Sequence, residues 1–294
     1  MRRPHGRVCR DGRAASTVTR GRAHGRSAGP PRCDDGVVDT TKAGRVLVVD
    51  DNRALVDGTD LVLVGSDEAP AGDRLYLGSE DGVPYFAVSG ALPRRLGARP
   101  QHLRDVGALL GDRDAGLLVH AVGLTNWHAT HVRCPRCGAP TECTRGGAVR
   151  RCVEDGSDHF PRTDPAVIML VTDGADRCVL GRQAIWPAGR YSTLAGFVEP
   201  GESAEMAVVR EVEEETGIAA REIVYRSSQP WPFPASLMLG FWAVCDADAV
   251  PHAKDGELQD ARWFTRDELR GSDAVLPGPV SIAYRLITDW LDET

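Results

Sequence analysis

Beyond residue 45 the chain alternates short apolar runs with breaks carrying Asp and Gly. Val46–Val49 and Leu61–Val64 are continuous apolar runs too short for helices, and they predict buried strands. Tyr76–Leu77 and Tyr85–Val88 extend the series, so a small β-rich domain is expected over 45–128. A helix closes it: between Asp114 and His128 the residues Leu117, Leu118, Ala121, Leu124 and Trp127 recur at helical spacing. On that helix Trp127 reads as a core side chain and His128 as a partly exposed one. Further on, Ala166–Val171, Arg177–Leu180 and Leu237–Val244 read as strands, and a last helix is predicted over about 280–291. Residues 1–44 show no periodic pattern and are rich in Arg, Gly, Ser and Ala, which predicts a disordered basic tail. Such a tail suits an organelle leader or an RNA-touching arm; our preferred expectation is a translation start assigned too early.

The polar positions of one segment carry chemistry. Pro200 and Gly201 form an entry turn, Ser203 can cap the first free amides, and Gly217 suits a left-handed terminus, so residues 203–216 predict a helix. On it Glu211, Glu214 and Glu215 stand at i, i+3 and i+4, on one face. Like charges so placed repel by about 0.2–0.5 kcal/mol per pair, and a hard divalent cation such as Mg²⁺ or Mn²⁺ reverses the sign. Three glutamates alone would also suit a solvated surface. Gly196, Glu202, Arg210, Glu211, Val212, Glu214, Glu215, Gly217 and Ile218, however, match Gly-x5-Glu-x7-Arg-Glu-U-x-Glu-Glu-x-Gly-U at every specified position, U being apolar. The segment resembles the signature of the Nudix hydrolases. The resemblance implies an α/β (α+β) fold, the Nudix α/β/α sandwich with a mixed sheet. It also implies metal-assisted hydrolysis of a nucleoside diphosphate linked to another moiety, with Glu211, Glu214 and Glu215 catalytic.

Downstream lies Ser228–Ser236, in which Pro230, Pro232 and Pro234 alternate with Trp231 and Phe233. Proline removes ladder donors, so a central strand is excluded and a stiff loop is expected. Its rings suit either a core filling or stacking on a flat ligand ring. The string resembles the Ser-Gln-Pro-Trp-Pro-Phe-Pro-x-Ser motif of the NADH pyrophosphatases within the Nudix superfamily. The resemblance implies a dinucleotide substrate bearing nicotinamide, cleaved to nicotinamide mononucleotide and AMP, with Gln229, Pro230, Trp231, Pro232, Phe233, Pro234, Ala235 and Ser236 in the pocket. It further implies substrate contact at Phe160, where the family has tyrosine, and at Ala283 through the backbone. Glu257 and the backbone of Ala195 join the Mg²⁺ or Mn²⁺ ligands, and the assembly is a homodimer. Two rivals accompany this reading: removal of a 5′ NAD cap from RNA by the same site, and a nucleotide sensor that binds without cutting.

Ahead of both segments, Cys134 and Cys137 form a knuckle with Gly138, and Cys152 follows at a ribbon interval. Where a fourth thiol would close a zinc site stands Asp155. Its carboxylate can ligate Zn²⁺, so Cys134, Cys137, Cys152 and Asp155 form a candidate structural set, with Cys143 and His159 as competitors for the last place. The alternative is a ribbon over 129–162 that folds without metal. The catalytic domain is then expected over 163–294.

Charge and cysteine usage narrow the setting. Residues 1–45 carry +7 and the remainder −14 of a net −7, so the folded part lacks the basic footprint of a general nucleic-acid binder. Of eight cysteines four cluster at the ribbon, which predicts metal ligation in a reducing, cytoplasmic setting over a disulfide framework. No apolar run is long enough to span a bilayer, so no membrane partner is expected.

Overall fold

The computed structural model describes residues 44–254, 256–271 and 276–293. The expected basic tail therefore lies outside the described residues apart from Gly44. Seven strands open the fold: β1 (Arg45–Val49), β2 (Arg53–Asp57), β3 (Asp60–Leu61), β4 (Val64–Gly65), β5 (Leu75–Glu80), β6 (Val83–Ser89) and β7 (Arg99–His102). Two helices follow, α1 (Leu103–Val106) and α2 (Asp112–Thr130). The strands form two sheets, ordered β4-β1-β6-β5 and β3-β2-β7. After its exposed first residue Arg45, strand β1 is apolar because both its faces are covered. Leu47 and Val49 pack with Leu118, Ala121 and Val122 of α2, whereas Val46 and Val48 pack with Val64, Phe86 and Val88.

The run Leu61–Val64 does not form the single strand its composition predicts. Leu61 ends β3 opposite β2, and Val64 opens β4 opposite β1. The two side chains enter different cores, so the chain changes sheet inside one apolar run.

Strands β8 (Thr141–Thr144), β9 (Val149–Cys152) and β10 (Asp158–His159) build the antiparallel ribbon. Buried Arg150 fastens it to α2, donating to the Thr141 hydroxyl at 2.7 Å and to His128 Nδ1 at 2.9 Å. A buried guanidinium held by several acceptors fixes direction as well as distance.

The second half comprises β11 (Asp164–Thr172), β12 (Arg177–Arg182), β13 (Leu194–Phe197), α3 (Ala204–Thr216), β14 (Arg221–Trp231), β15 (Ser236–Val244), β16 (Asp260–Thr265), α4 (Arg266–Arg270) and α5 (Ile282–Asp292). Its mixed sheet is ordered β14-β15-β11-β12-β16, with β13 paired to β11. Alternation along β11 sends Val167, Met169 and Val171 into the core beneath α3, and Ile168 and Leu170 into the core beneath α5. A strand covered on both faces reads as one apolar run, as this one does. This is the Nudix mixed sheet between helices that the resemblance implied.

The proline-rich segment departs from the stiff loop expected of it. Ser228–Trp231 ends strand β14, residues 232–235 turn, and Ser236 begins β15, with Trp231 paired to Ser236. Strand β14 lies at the sheet edge, where a missing N–H is tolerated on the open side, so Pro230 does not break it. The Phe233–Pro234 peptide is cis.

Candidate active site

Helix α3 has the ends its residues predict. The Ser203 hydroxyl accepts from Met206 N at 3.2 Å, and Gly217 terminates the helix at φ +72°. Ala207, Val208 and Val212 bury its core face, which turns Glu211 and Glu214 toward the β13 side of the sheet. Glu215 is 5% exposed, whereas Glu214 is largely open to solvent.

Arg210 organises these carboxylates. It meets Glu202 through Nε and Nη2, both at 2.9 Å, Glu211 through Nη1 at 2.8 Å, and Glu214 through Nη1 at 3.1 Å. A fourth tie, Nη2 to the Phe197 carbonyl at 2.9 Å, anchors the helix to β13. The guanidinium stays charged, because its bonds to Glu202 first, then to Glu211 and Glu214, raise its pKa above the ordinary arginine value against the opposing pull of burial. Glu202 is correspondingly held below the usual carboxylate range by Arg210 and by the Glu199 amide. Glu211 moves the other way: burial raises its pKa, Arg210 opposes, and the charges of Glu214 and Glu257 add to the rise. Carboxylates gathered around one cation, with the charge of Glu214 and Glu257 felt at Glu211, form a donor set for a hard divalent ion.

Two features aim this set. Gly196, paired with Val167, lies so near Glu211 that a Cβ on it would stand 1.9 Å from Cδ. Glu257 reaches the cluster from a different segment. Its neighbour Leu258 is buried, and Gln259 N donates to the Arg182 carbonyl at 2.8 Å. Residues 252–254 also tie back to α3, through His252 N to the Thr216 carbonyl and Lys254 N to the Glu215 carbonyl. Ala195 sits beside Gly196 on β13, opposite Ile168.

Strand β11 links this cluster to the proline-rich segment. Ala166 pairs with Phe197 on one side and Met238 on the other, and Asp164 pairs with Ser236. At a strand spacing of about 4.8 Å, Phe197 and Ser236 are roughly 12 Å apart across the sheet. Phe197 is 58% exposed and follows Gly196 on β13, with its carbonyl held by Arg210, and the sequence reading did not single it out. The only signal was its place next to Gly196, and alternation gives no hint that such a ring faces solvent.

The other expected pocket residues have definite places. Gln229 spends its amide on the start of α5, donating to the Val280 carbonyl at 2.6 Å and accepting from Ile282 N at 2.8 Å. Ala283 is buried there, with its N–H on the Ser281 hydroxyl. Pro232 is buried, Trp231, Phe233 and Ala235 are half-buried, and Pro230 and Pro234 are exposed. Phe160 is 64% exposed and lines a separate cleft of about 380 Å³ with His131, Arg133 and His159. Among the described residues no ring contact or hydrogen bond joins it to the carboxylates or to the proline-rich segment.

In the ribbon, ligand atoms of Cys134, Cys137, Cys152 and Asp155 all lie within 4.8 Å of one another, a group able to hold a metal ion. Backbone amides of Arg136 and Asp155 point at the sulfurs of Cys134 and Cys152, at 3.4 and 3.5 Å. Against the opposing effect of burial, the amides of Arg136 and Cys137 and the Ser157 hydroxyl bring the Cys134 thiol down to about 6. Ser157 also fixes Asp155, donating from N at 2.8 Å, and holds that carboxyl down to about 2. The two competitors stand elsewhere. Cys143 packs against the N-terminal core, where burial pushes its thiol up to about 11. His159 is not in that group, and among the described residues its ring bonds Ser157 Oγ, at 3.1 Å.

Comparison with known proteins places this geometry in context. Residues 162–291 match the NUDIX domain, and residues 31–127 match the NADH pyrophosphatase-like rudimentary NUDIX domain. The chain is 41% identical over 266 residues to a Mycobacterium bovis protein named NAD-capped RNA hydrolase NudC, covering 83% of this chain and 85% of that one. A Mycobacterium tuberculosis protein of the same name matches at the same identity and coverage. The human NAD-capped RNA hydrolase NUDT12 is 39% identical over 199 residues, 62% of this chain and 43% of the human one.

Proposed function

Because the chain belongs to the NudC family of Nudix hydrolases, we propose that it hydrolyses the pyrophosphate of NADH and NAD⁺, giving nicotinamide mononucleotide and AMP. The observation that carries this reading is the register of β11. Gly196, which meets Glu211, and the end of the Trp-Pro-Phe-Pro turn lie on β13 and β15, the two strands that flank β11 in one sheet. The names of its relatives support a second substrate for the same site, RNA carrying a 5′-terminal NAD.

Glu211, Glu214, Glu215 and Glu257 would hold Mg²⁺ or Mn²⁺, with the backbone of Ala195 adjacent. Their oxygen donors and mutual repulsion fit such an ion, and the space that Gly196 leaves for the Glu211 carboxylate fits it as well. When bound, the ion supplies charge neutralisation at the phosphoryl oxygens and acidifies the attacking water. One of the carboxylates accepts the proton of that water as it attacks one phosphorus. The bond from that phosphorus to the bridging oxygen breaks, and the other phosphate leaves. Arg210 keeps the carboxylates in place, and the exposed Phe197 ring offers a stacking face for a base of the substrate.

The same reading assigns a structural Zn²⁺ to Cys134, Cys137, Cys152 and Asp155, a closed set with no open position for chemistry. The homodimer implied by the family, and a cytoplasmic setting argued from the clustered free thiols, complete it. No described helix is long and apolar enough to cross a membrane.

The test is direct. Purified protein is incubated with Mn²⁺ and NADH, NAD⁺, ADP-ribose or NAD-capped RNA, and AMP or 5′-monophosphate RNA is quantified. Cleavage of the NAD-bearing substrates supports the reading, and cleavage of ADP-ribose alone overturns it.

A further inference from the structure

The Trp-Pro-Phe-Pro turn rests on the N-terminal half of the molecule. Phe233 stacks on His102, with ring centroids 5.4 Å apart and planes 20° apart. Trp231 meets Phe233 edge to face at 5.1 Å. The Arg104 guanidinium lies over both rings, its Cζ 4.3 Å from the Phe233 centroid and 5.6 Å from that of Trp231. Arg104 is exposed and forms no ion pair with a described residue, so these rings are the partners its charge has.

The backbone is tied independently. Asn126 on α2 donates through Nδ2 to the Pro232 carbonyl at 3.0 Å and to Asn52 Oδ1 at 2.8 Å. The Asn52 carbonyl accepts from Leu103 N at 3.1 Å, and His102 Nδ1 accepts from Arg104 N at 3.1 Å. The turn between β1 and β2, helix α1, helix α2 and the proline-rich turn thus form one hydrogen-bonded unit. At its other end Gln229 clamps the segment to α5.

We propose that Arg104 is a positioning residue for substrate recognition, setting the pose of Trp231 and Phe233 from the N-terminal domain without touching the reacting phosphates. This rests on the reading above, in which the proline-rich turn contacts the dinucleotide. A cation centred over two rings holds them against rotation, and the contact is lost with the charge even when the aliphatic stem is kept. The N-terminal domain then acts as the fixed wall of the recognition turn.

The experiment measures kcat and KM for NADH in Arg104→Met, Arg104→Lys, Trp231→Ala, Phe233→Leu and the Arg104→Met/Phe233→Leu pair, alongside melting temperatures. Arg104→Met is expected to raise KM roughly 2- to 10-fold, the range of one cation–π contact, with kcat held within about twofold. Arg104→Lys should fall between wild type and Arg104→Met, since it keeps the charge and loses the flat stacking face. In the Phe233→Leu background the effect of Arg104→Met should shrink, because the nearer of the two rings under the guanidinium is gone. A KM change in Trp231→Ala with none in Arg104→Met overturns the positioning role and leaves the substrate reading intact. An Arg104→Met effect of full size in the Phe233→Leu background also overturns it, since Arg104 would then not act through the ring it lies nearest. Unchanged KM in Trp231→Ala sinks the substrate reading and this inference with it. Should Phe233→Leu fail to fold, the Arg104→Met/Phe233→Met pair, which also removes the ring, answers the same question.

Discussion

Gly196 and Glu211 occupy one volume: a methyl group on the glycine would stand 1.9 Å from the carboxyl carbon of the glutamate and 2.0 Å from Oε1. The atoms in the way are the end of a flexible side chain, so Gly196→Ala can be relieved by swinging Glu211 aside. That movement costs little stability and displaces a metal ligand. We expect melting within a few degrees of wild type, and a fall in kcat/KM on the order of 10²-fold, the size associated with an ångström of misplacement. An active Gly196→Ala enzyme would remove Glu211 from the site.

Glu215→Gln keeps the shape of a side chain that is 5% exposed and removes its charge. Turnover should drop on the order of 10²–10⁴-fold, the range for a residue that handles charge in the reaction. Circular dichroism should be unchanged. Near wild-type turnover at saturating Mn²⁺ would sink the role given to Glu215.

Arg210→Ala leaves Glu202, Glu211 and Glu214 without their shared cation. The carboxylates then lose orientation before they lose charge. The Mn²⁺ concentration for half-maximal activity should rise roughly 10- to 100-fold, as for other partners that orient metal ligands. Arg210→Lys should recover only part of this, because one ammonium cannot reproduce the two-pronged contact with Glu202 and the further bonds to Glu211 and Phe197.

Phe197→Ala removes an exposed ring whose own carbonyl is held by Arg210. If the ring stacks on a base of the substrate, KM for NADH should rise roughly 5- to 100-fold, the worth of one base–aromatic contact. Thermal stability should hardly change, because the side chain fills no core. An unaltered KM would show that the ring lies off the substrate path.

For the ribbon, elemental analysis of native protein should find about one zinc per chain, and Cys134→Ser should lose it. Chelation should lower the melting temperature, since binding to folded ligands is folding energy. Asp155→Cys completes a four-thiol set and should tighten the metal. A zinc-free native protein of undiminished stability would favour a ribbon that folds on hydrogen bonds alone.

Much of the active half was legible without a structure because its signals are local. Ser203 and Gly217 mark the ends of α3 through their own backbone preferences, and three glutamates on one turn are a matter of helical periodicity. The apolar run of β11 likewise announces a strand covered on both faces. Where local rules misled, a partner distant in the chain was responsible. The prolines read as a loop because a central strand cannot hold them, yet β14 lies at an edge, and edge position is a property of the whole sheet. Leu61–Val64 read as one strand because periodicity does not reveal that its two ends serve separate cores.

The sequence by itself determined the chemistry: which residues are acids, where a helix gathers them, and which glycine ends that helix. Only the tertiary structure decided what those groups face. The contact of Glu211 with Gly196, the hold of Arg210 on Phe197 and the seat of Arg104 on Phe233 join segments far apart in the chain. Spacing along a chain sets which face a side chain takes, whereas packing sets which other face it meets.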